Sequence, residues 1–228
     1  MSAESSVELL PDSSQGDAVV TGNPVRPEVL TGRAELGAKG LGFEGYDAQL
    51  PTVYVTGGAQ GSAQINDNVR AILPWLLARA NVVHQCGAAN VATLRESAQQ
   101  LPPGLAERYH LTDFVGPELP DVLALADVVI SRSGAGTIAE LTALGKAAVF
   151  IPLASSAGNE QAHNARHLQE TNAAVALLGE VTPESLQGAV EPLLTDPARR
   201  EEIATNARAH GRPDAAERLV DVLLTAAG

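Results

Sequence analysis

From residue 51 onward the apolar positions of the chain alternate between two rhythms. Short aliphatic runs with little polar interruption fall at 52–56 (TVYVT), 81–85, 109–114, 127–130 (DVVI), 147–151 and 173–177. Such runs predict strands covered on both faces, with 109–114 read as strand or extended chain. Between them the spacing becomes helical. Ile65, Val69, Ile72, Leu73, Leu76 and Leu77 predict a helix over 63–80. Shorter helices are predicted over 91–99, 120–126, 136–144 and 160–171, and three more close the chain over 183–194, 197–210 and 213–226. Thr182-Pro183 and Asp196-Pro197 each set a capping side chain before a proline, which is a helix start signal. This alternation predicts right-handed crossovers and an α/β fold: a parallel sheet of about six strands with helices on both faces. Ligands of such sheets bind outside the carboxyl ends of the strands, so the residues just after each strand carry the functional reading.

Residues 1–50 are patterned more weakly. Residues 7–10 and 18–21 read as short strands, and 22–27 (GNPVRP) as a turn or extended linker, since proline disfavours helix in the residue before it. Residues 28–50 read as a helical remnant followed by a glycine-rich loop from Gly37 to Gly45. The expectation is a linker over 1–50 and one domain over 51–228.

Composition narrows the picture in few places. Aromatics are only 3% of the chain, so the core must be aliphatic, which suits a parallel sheet. A formal charge of −12 argues against nonspecific nucleic-acid binding, because a phosphate backbone repels such a surface. Cys86 is the single cysteine, leaving no intrachain disulfide and no cysteine metal cluster; it reads as an inert apolar residue at a strand end. No run approaches the ~20 apolar residues of a membrane span, and residues 1–8 lack the regions of a signal peptide. The expectation is a cytoplasmic protein.

Three loops carry candidate chemistry. Gly57-Gly58-Ala59-Gln60-Gly61-Ser62 joins a strand to the long helix. Its glycines let backbone N–H groups approach a phosphate, and the helix N-terminus adds unsatisfied donors and partial positive charge. It is neither GxxxxGK[ST] nor GxGxxG, and alone such a turn serves tight packing equally well. Ser131-Arg132-Ser133-Gly134-Ala135-Gly136-Thr137 repeats the arrangement, with Glu140 one turn into the next helix. The G-x-S-x-G elbow is absent around Ser133, which argues against a serine hydrolase. Thr137 as a plain helix start and Glu140 as a solvated charge remain open readings. The third loop, 155–164, is polar and opens another helix; a solvated loop is its simplest reading. Together the three describe a crevice for a polar, anionic, phosphate-bearing ligand.

At this point the residues resemble a known family. Gly22-Asn23-Pro24-Val25-Arg26, TGGAQGS with Asn66 beyond it, His84-Gln85-Cys86-Gly87, Phe114-Val115, SRSGAGTIAEL and Asn159-Glu160-Gln161-Ala162-His163-Asn164-Ala165 follow one another as in MurG-like glycosyltransferases of family 28. Those bacterial enzymes add N-acetylglucosamine to the lipid-linked peptidoglycan precursor. The resemblance runs from about residue 18 to the C-terminus. It implies the C-terminal, donor-binding half of a GT-B fold, Rossmann-like, with 1–50 as the remnant of an inter-domain region. The implied ligand is a UDP-sugar, with UDP-N-acetylglucosamine the leading choice, and neither metal nor cofactor is expected. Phe114 and Val115 would present backbone groups to the uracil, and Glu140 would accept from the ribose hydroxyls. Gly58, Ala59, Gln60, Gly61 and Ser62 would serve the phosphates. Ser133, Gly134, Ala135, Gly136 and Thr137 would meet diphosphate and sugar, and Arg26 would face the diphosphate. Gln161 would hold sugar hydroxyls beside Glu160, with Asn164 supporting the helix. Neutralising the leaving diphosphate with helix dipoles and one arginine suits a metal-independent inverting transfer.

Two positions depart from the family pattern: Ala59 stands where serine is usual, and Glu160 where histidine or glutamine is common. The family's acceptor half, with its membrane-facing surface and general base, has no counterpart in 1–50. The resemblance therefore implies a separate acceptor-binding chain, membrane-associated, and a peripheral place at the inner face of a membrane. Leu219, Val220, Val222, Leu223 and Leu224 of the last helix are available for docking or for core packing. A non-catalytic nucleotide-sugar-binding module, a truncated gene product and a UDP-GlcNAc 2-epimerase relative are the alternative readings. Cell-wall synthesis and natural-product glycosylation are both compatible.

Overall fold

The aliphatic runs become the strands of one parallel sheet in the computed structural model, which describes residues 11–16 and 18–227. The strands are β1 (Thr52–Thr56), β2 (Asn81–Gln85), β3 (Tyr109–Thr112), β4 (Val128–Ser131), β5 (Ala147–Phe150) and β6 (Val175–Ala176), in the order β3-β2-β1-β4-β5-β6. That order reverses between β1 and β4, the place where doubly wound sheets open their ligand crevice. Thr56 at the end of β1 is level with Gln85 of β2 on one side and Ser131 of β4 on the other, so three carboxyl ends finish together.

The connecting helices, among the described residues, are α1 (Asp12–Gln15), α2 (Ala34–Gly40), α3 (Ala63–Leu77), α4 (Val91–Ala98), α5 (Pro103–Ala106), α6 (Leu119–Leu125), α7 (Ala135–Leu144), α8 (Glu160–Glu170), α9 (Pro183–Thr195), α10 (Pro197–His210) and α11 (Ala215–Ala227). One core layer packs α3 and α9 on the sheet through Ile65, Val69, Leu76, Leu77, Leu186 and Val190. The other sets Val122, Leu141, Leu168 and Phe43 against Tyr54, Val129 and Phe150. Full burial of each such side chain contributes roughly 1.5–3 kcal/mol. The caps at Thr182 and Asp196 form as expected: Thr182 closes a capping box with Ser185, and Asp196 accepts from Ala198 and Arg199 N–H.

Several expectations are corrected. Residues 18–21 form no strand; Val20 lies among residues of α7, α8 and α10, and the segment pairs with no strand of the sheet. The expected strand at 7–10 lies outside the described residues. α3 ends at Leu77 rather than at residue 80, because the next residues turn the chain into β2, where Asn81 N–H donates to Pro51 O. Gly37 belongs to α2 and not to a loop: a Cβ there would press on the Asp121 carbonyl and Leu125 of α6, so glycine lets the two helices touch. α11 is not core. Leu219, Val220, Leu223 and Leu224 are all exposed.

Candidate functional site

The glycine loop after β1 is held down from behind. Gly61 has a left-handed φ of 74°, and a Cβ on it would collide with the Cys86 carbonyl. The same carbonyl accepts from Asn66 Nδ2 (3.0 Å) and Asn90 Nδ2 (2.9 Å). Asn66 Oδ1 meets Nε2 of the fully buried His84 at 3.0 Å, and the other ring nitrogen meets the Tyr109 hydroxyl at 2.8 Å. An amide oxygen only accepts, so Nε2 carries the proton and Nδ1 accepts from Tyr109. Burial pushes His84 down to about 4, keeping the ring neutral. Cys86 itself is buried, and its thiol donates to Thr112 O at 3.3 Å. The buried network thereby fixes the height of the loop that a ligand would meet.

The loop leaves donors free. Gly61 N–H closes the turn on Gly58 O and Gly58 N–H donates to Thr56 Oγ1, while the Ala59 and Gln60 N–H groups donate to no described protein acceptor. Ser62 caps α3 by accepting from Ile65 N–H at 3.3 Å. The next residues, Ala63 and Gln64, line the crevice, and as members of the first helical turn their N–H groups have no intrahelical acceptor. α7 opens the same way after Gly134, with no side chain capping its first N–H groups. Two helix N-termini thus converge on a crevice of ≈ 540 Å³, lined among others by Gly58, Gly61, Ser62, Arg132, Gly134, Thr137 and Gln161.

Of the remaining expected residues, Gln161 lines this crevice, whereas Arg26, Glu140, Ser133, Phe114, Val115, Ala135, Gly136, Glu160 and Asn164 do not. Glu140 and Arg26 meet across 114 residues of sequence: Nε reaches Oε1 at 2.7 Å and Nη2 reaches Oε2 at 3.1 Å. This is the two-point fork of an arginine–carboxylate pair. The hydrogen bond to Glu140 raises the guanidinium's affinity for its proton still further. Ser133 is fully buried and spends its hydroxyl on Gln161 O at 2.7 Å, joining the second loop to α8. Gln161 Oε1 accepts from Leu153 N–H at 3.0 Å. Asn164 donates to Ser133 O and to Glu160 Oε1, both at 3.3 Å, so it links loop and helix. Phe114 stands exposed beyond β3, with its N–H on Asp113 and its carbonyl accepting from Thr112. Val115 N–H is engaged by Gln85 Oε1 at 2.8 Å. Gly136 lies near Asn23, while Ala135 and Asn164 line a second cavity of ≈ 480 Å³ behind α7, with Asn23, His167 and His210.

Two residues that the sequence reading quoted in motifs but gave no role connect the loops. Gln85, at the end of β2, accepts from Val115 N–H and donates to Thr56 Oγ1 (3.1 Å) and Gly58 O (3.0 Å). It ties the glycine loop to the Phe114 loop. Arg132, in the second loop, donates to Ser62 Oγ (2.7 Å), Gln64 Oε1, Ile151 O and Pro152 O (each 2.9 Å). The signals for them were a polar residue at or just after a strand end and a place in the motifs His84-Gln85-Cys86-Gly87 and SRSGAGTIAEL.

Known proteins resemble this chain in sequence and fold. The model of the Glycosyltransferase family 28 C-terminal domain matches residues 52–219. The UDP-N-acetylglucosamine--N-acetylmuramyl-(pentapeptide) pyrophosphoryl-undecaprenol N-acetylglucosamine transferase of Acidothermus cellulolyticus is 40% identical over 213 residues, which is 92% of this chain and 57% of that protein. The protein of the same name from Treponema denticola is 36% identical over 184 residues, 79% of this chain and 46% of its own length. The chain therefore spans about half the length of the curated relatives it matches. Among solved structures, Acinetobacter baumannii MurG superposes with a TM-score of 0.70 at 28% identity, covering 79% of this chain and 54% of that one. The calicheamicin glycosyltransferase CalG4 reaches a TM-score of 0.60 at 20% identity over 96% of this chain and 50% of that one, a likeness of fold alone.

Proposed function

The chain belongs to glycosyltransferase family 28 through that family's C-terminal domain, and from this premise we propose that it is the donor-binding part of a UDP-sugar-dependent hexosyltransferase. One observation carries the reading. The N-termini of α3 and α7, each with unsatisfied N–H groups, converge where the strand order reverses, in a chain whose net charge is −12. A concentration of positive potential in an acidic protein suits a diphosphate. UDP-N-acetylglucosamine is the proposed donor because the curated relatives are named for it.

In this reading the exposed ring of Phe114 and the neighbouring Val115 carbonyl serve the base, and Glu140, held by Arg26, accepts from the ribose hydroxyls. The free N–H groups of the two loops take the phosphates, and the Gln161 amide, anchored through Leu153, serves the sugar. Helix dipoles and arginines stabilise the leaving diphosphate, so the transfer is proposed to be metal-independent and inverting. The acceptor site and the general base belong to an acceptor-binding part. The relatives' names specify an undecaprenol-linked acceptor, so the complete machinery is proposed to work at a membrane surface. Among the described residues no helix is long and apolar enough to cross a membrane. The exposed leucines of α11 support a protein partner on that face.

Calorimetric titration with UDP, UDP-N-acetylglucosamine, UDP-glucose and TDP-glucose tests the proposal, with Glu140→Ala alongside. Selective uridine-nucleotide binding that weakens at least about tenfold in the variant is expected, the equivalent of one charge-assisted hydrogen bond. Equal binding of all four nucleotides, or none, would overturn it.

A further inference from the structure

Arg132 is a cation without an acidic partner. Its acceptors are a serine hydroxyl, a glutamine amide and two backbone carbonyls. Each ion pair between described residues joins other groups: Arg26–Glu140, Arg70–Asp67, Arg108–Asp47, Arg199–Glu202 and Arg200–Asp127. Half-burial lowers the guanidinium's affinity for its proton, with no carboxylate to offset it. A partly desolvated charge without a counter-charge is unfavourable, and in a chain carrying 27 acidic residues against 15 basic ones a neutralising partner would be easy to supply. The charge instead lines the crevice.

Its geometry points the same way. Three of the four acceptors are bound through Nη1 and one through Nη2, which leaves Nε–H and one Nη2–H without a protein acceptor. Nε is not a buried orphan: among the described residues only Asn68 Oδ1 has that status. The side chain is also pinned from two segments at once, the cap and first turn of α3 and the chain beyond β5. A guanidinium held in this way offers its remaining donors without losing side-chain entropy on binding.

We propose that Arg132 is a diphosphate-positioning residue: it presents fixed charge and free N–H donors to the phosphate farther from the base, and holds Ser62 and the 151–152 chain in register around it. The inference rests on the donor-site reading and deepens it. Arg132 follows β4, which stands three strand spacings, about 14 Å, from β3, where Phe114 lies. Arg132 lines the crevice with Gly58, Ser62, Gly134 and Thr137, the loops assigned to the phosphates, whereas Phe114, Val115 and Glu140, assigned to the nucleoside, do not line it.

The test is binding of UDP, UMP and inorganic pyrophosphate to the wild-type chain, Arg132→Met and Arg132→Lys, with circular dichroism to verify folding. Arg132→Met is expected to weaken UDP and pyrophosphate at least about tenfold while UMP changes less than threefold, a split that loop distortion alone would not produce. Arg132→Lys, which keeps the charge but loses the fork, is expected to lie between; it also carries the test if the methionine variant does not fold. Equal loss of UDP and UMP, or unchanged affinity for UDP, would overturn the proposal while leaving the donor-site reading intact. Pyrophosphate bound through Arg132 in a chain that ignores UDP would overturn both the donor-site reading and the distal-phosphate role. A wild-type chain that binds neither would end both.

Discussion

The His84 network makes a prediction about acid stability that the structure allows to be worked through. His84 is fully buried behind the glycine loop, neutral, and satisfied at both ring nitrogens. Its folded pKa is about 4, whereas the unfolded ring titrates at its ordinary 6.5. Above pH 6.5 neither state binds the extra proton, so the histidine's contribution to stability is fully present. As pH falls below 6.5 the unfolded chain takes up a proton that the folded chain refuses, and stability drops until pH reaches about 4. The full window of about 2.5 units at 1.36 kcal/mol per unit amounts to roughly 3 kcal/mol, of which about 2 kcal/mol is lost by about pH 5. Urea unfolding at about pH 7.5 and about pH 5 measures the change in the wild type and in His84→Gln. The variant loses stability at neutral pH, but its loss between the two pH values should be smaller than the wild type's by about 2 kcal/mol. Identical losses in both proteins would show that His84 does not titrate as described.

Other consequences of the loop geometry can be checked. Gly61→Ala places a side chain at a left-handed φ and against the Cys86 carbonyl, whereas Gly58→Ala meets a similar φ of 85° with open space around it. Each pays about 1–2 kcal/mol of backbone strain, so Gly61→Ala should melt clearly lower than Gly58→Ala; equal melting temperatures would refute the close approach. Ser62→Ala removes the α3 cap and one acceptor of Arg132. Urea unfolding should show it less stable by about 1–2 kcal/mol, and a change within about 0.3 kcal/mol would contradict the capping role.

Much of the fold was legible because its signals are local. The aliphatic runs TVYVT and DVVI and the 3.6-residue spacing from Ile65 to Leu77 mark elements that bury themselves whatever lies around them. The Thr182-Pro183 and Asp196-Pro197 starts are equally local. Residues 18–21 failed because strand formation needs a neighbour, which no short run can announce. Gly37 misled because a glycine in a helix reads as a break until the close approach of α6 is seen. The same limit applies to the site. The glycine loops and helix starts were readable after their strands. Three features were not: Arg26 finding Glu140, Gln85 bridging two loops, and Arg132 gathering acceptors from α3 and the β5 end. Each is a contact between distant segments, and the fold has to exist before it does.

The two cavities beside α7 are of similar size, and the proposed donor site is the one that the glycine loop lines. Amide chemical-shift mapping of the labelled chain on adding UDP-N-acetylglucosamine tests that choice directly. Shifts concentrated at Gly58–Ser62, Gly134–Thr137, Phe114 and Gln161 are the predicted result. Shifts centred on Asn23, His167 and His210, with the glycine loop unmoved, would place the ligand behind α7 and contradict the donor-site assignment.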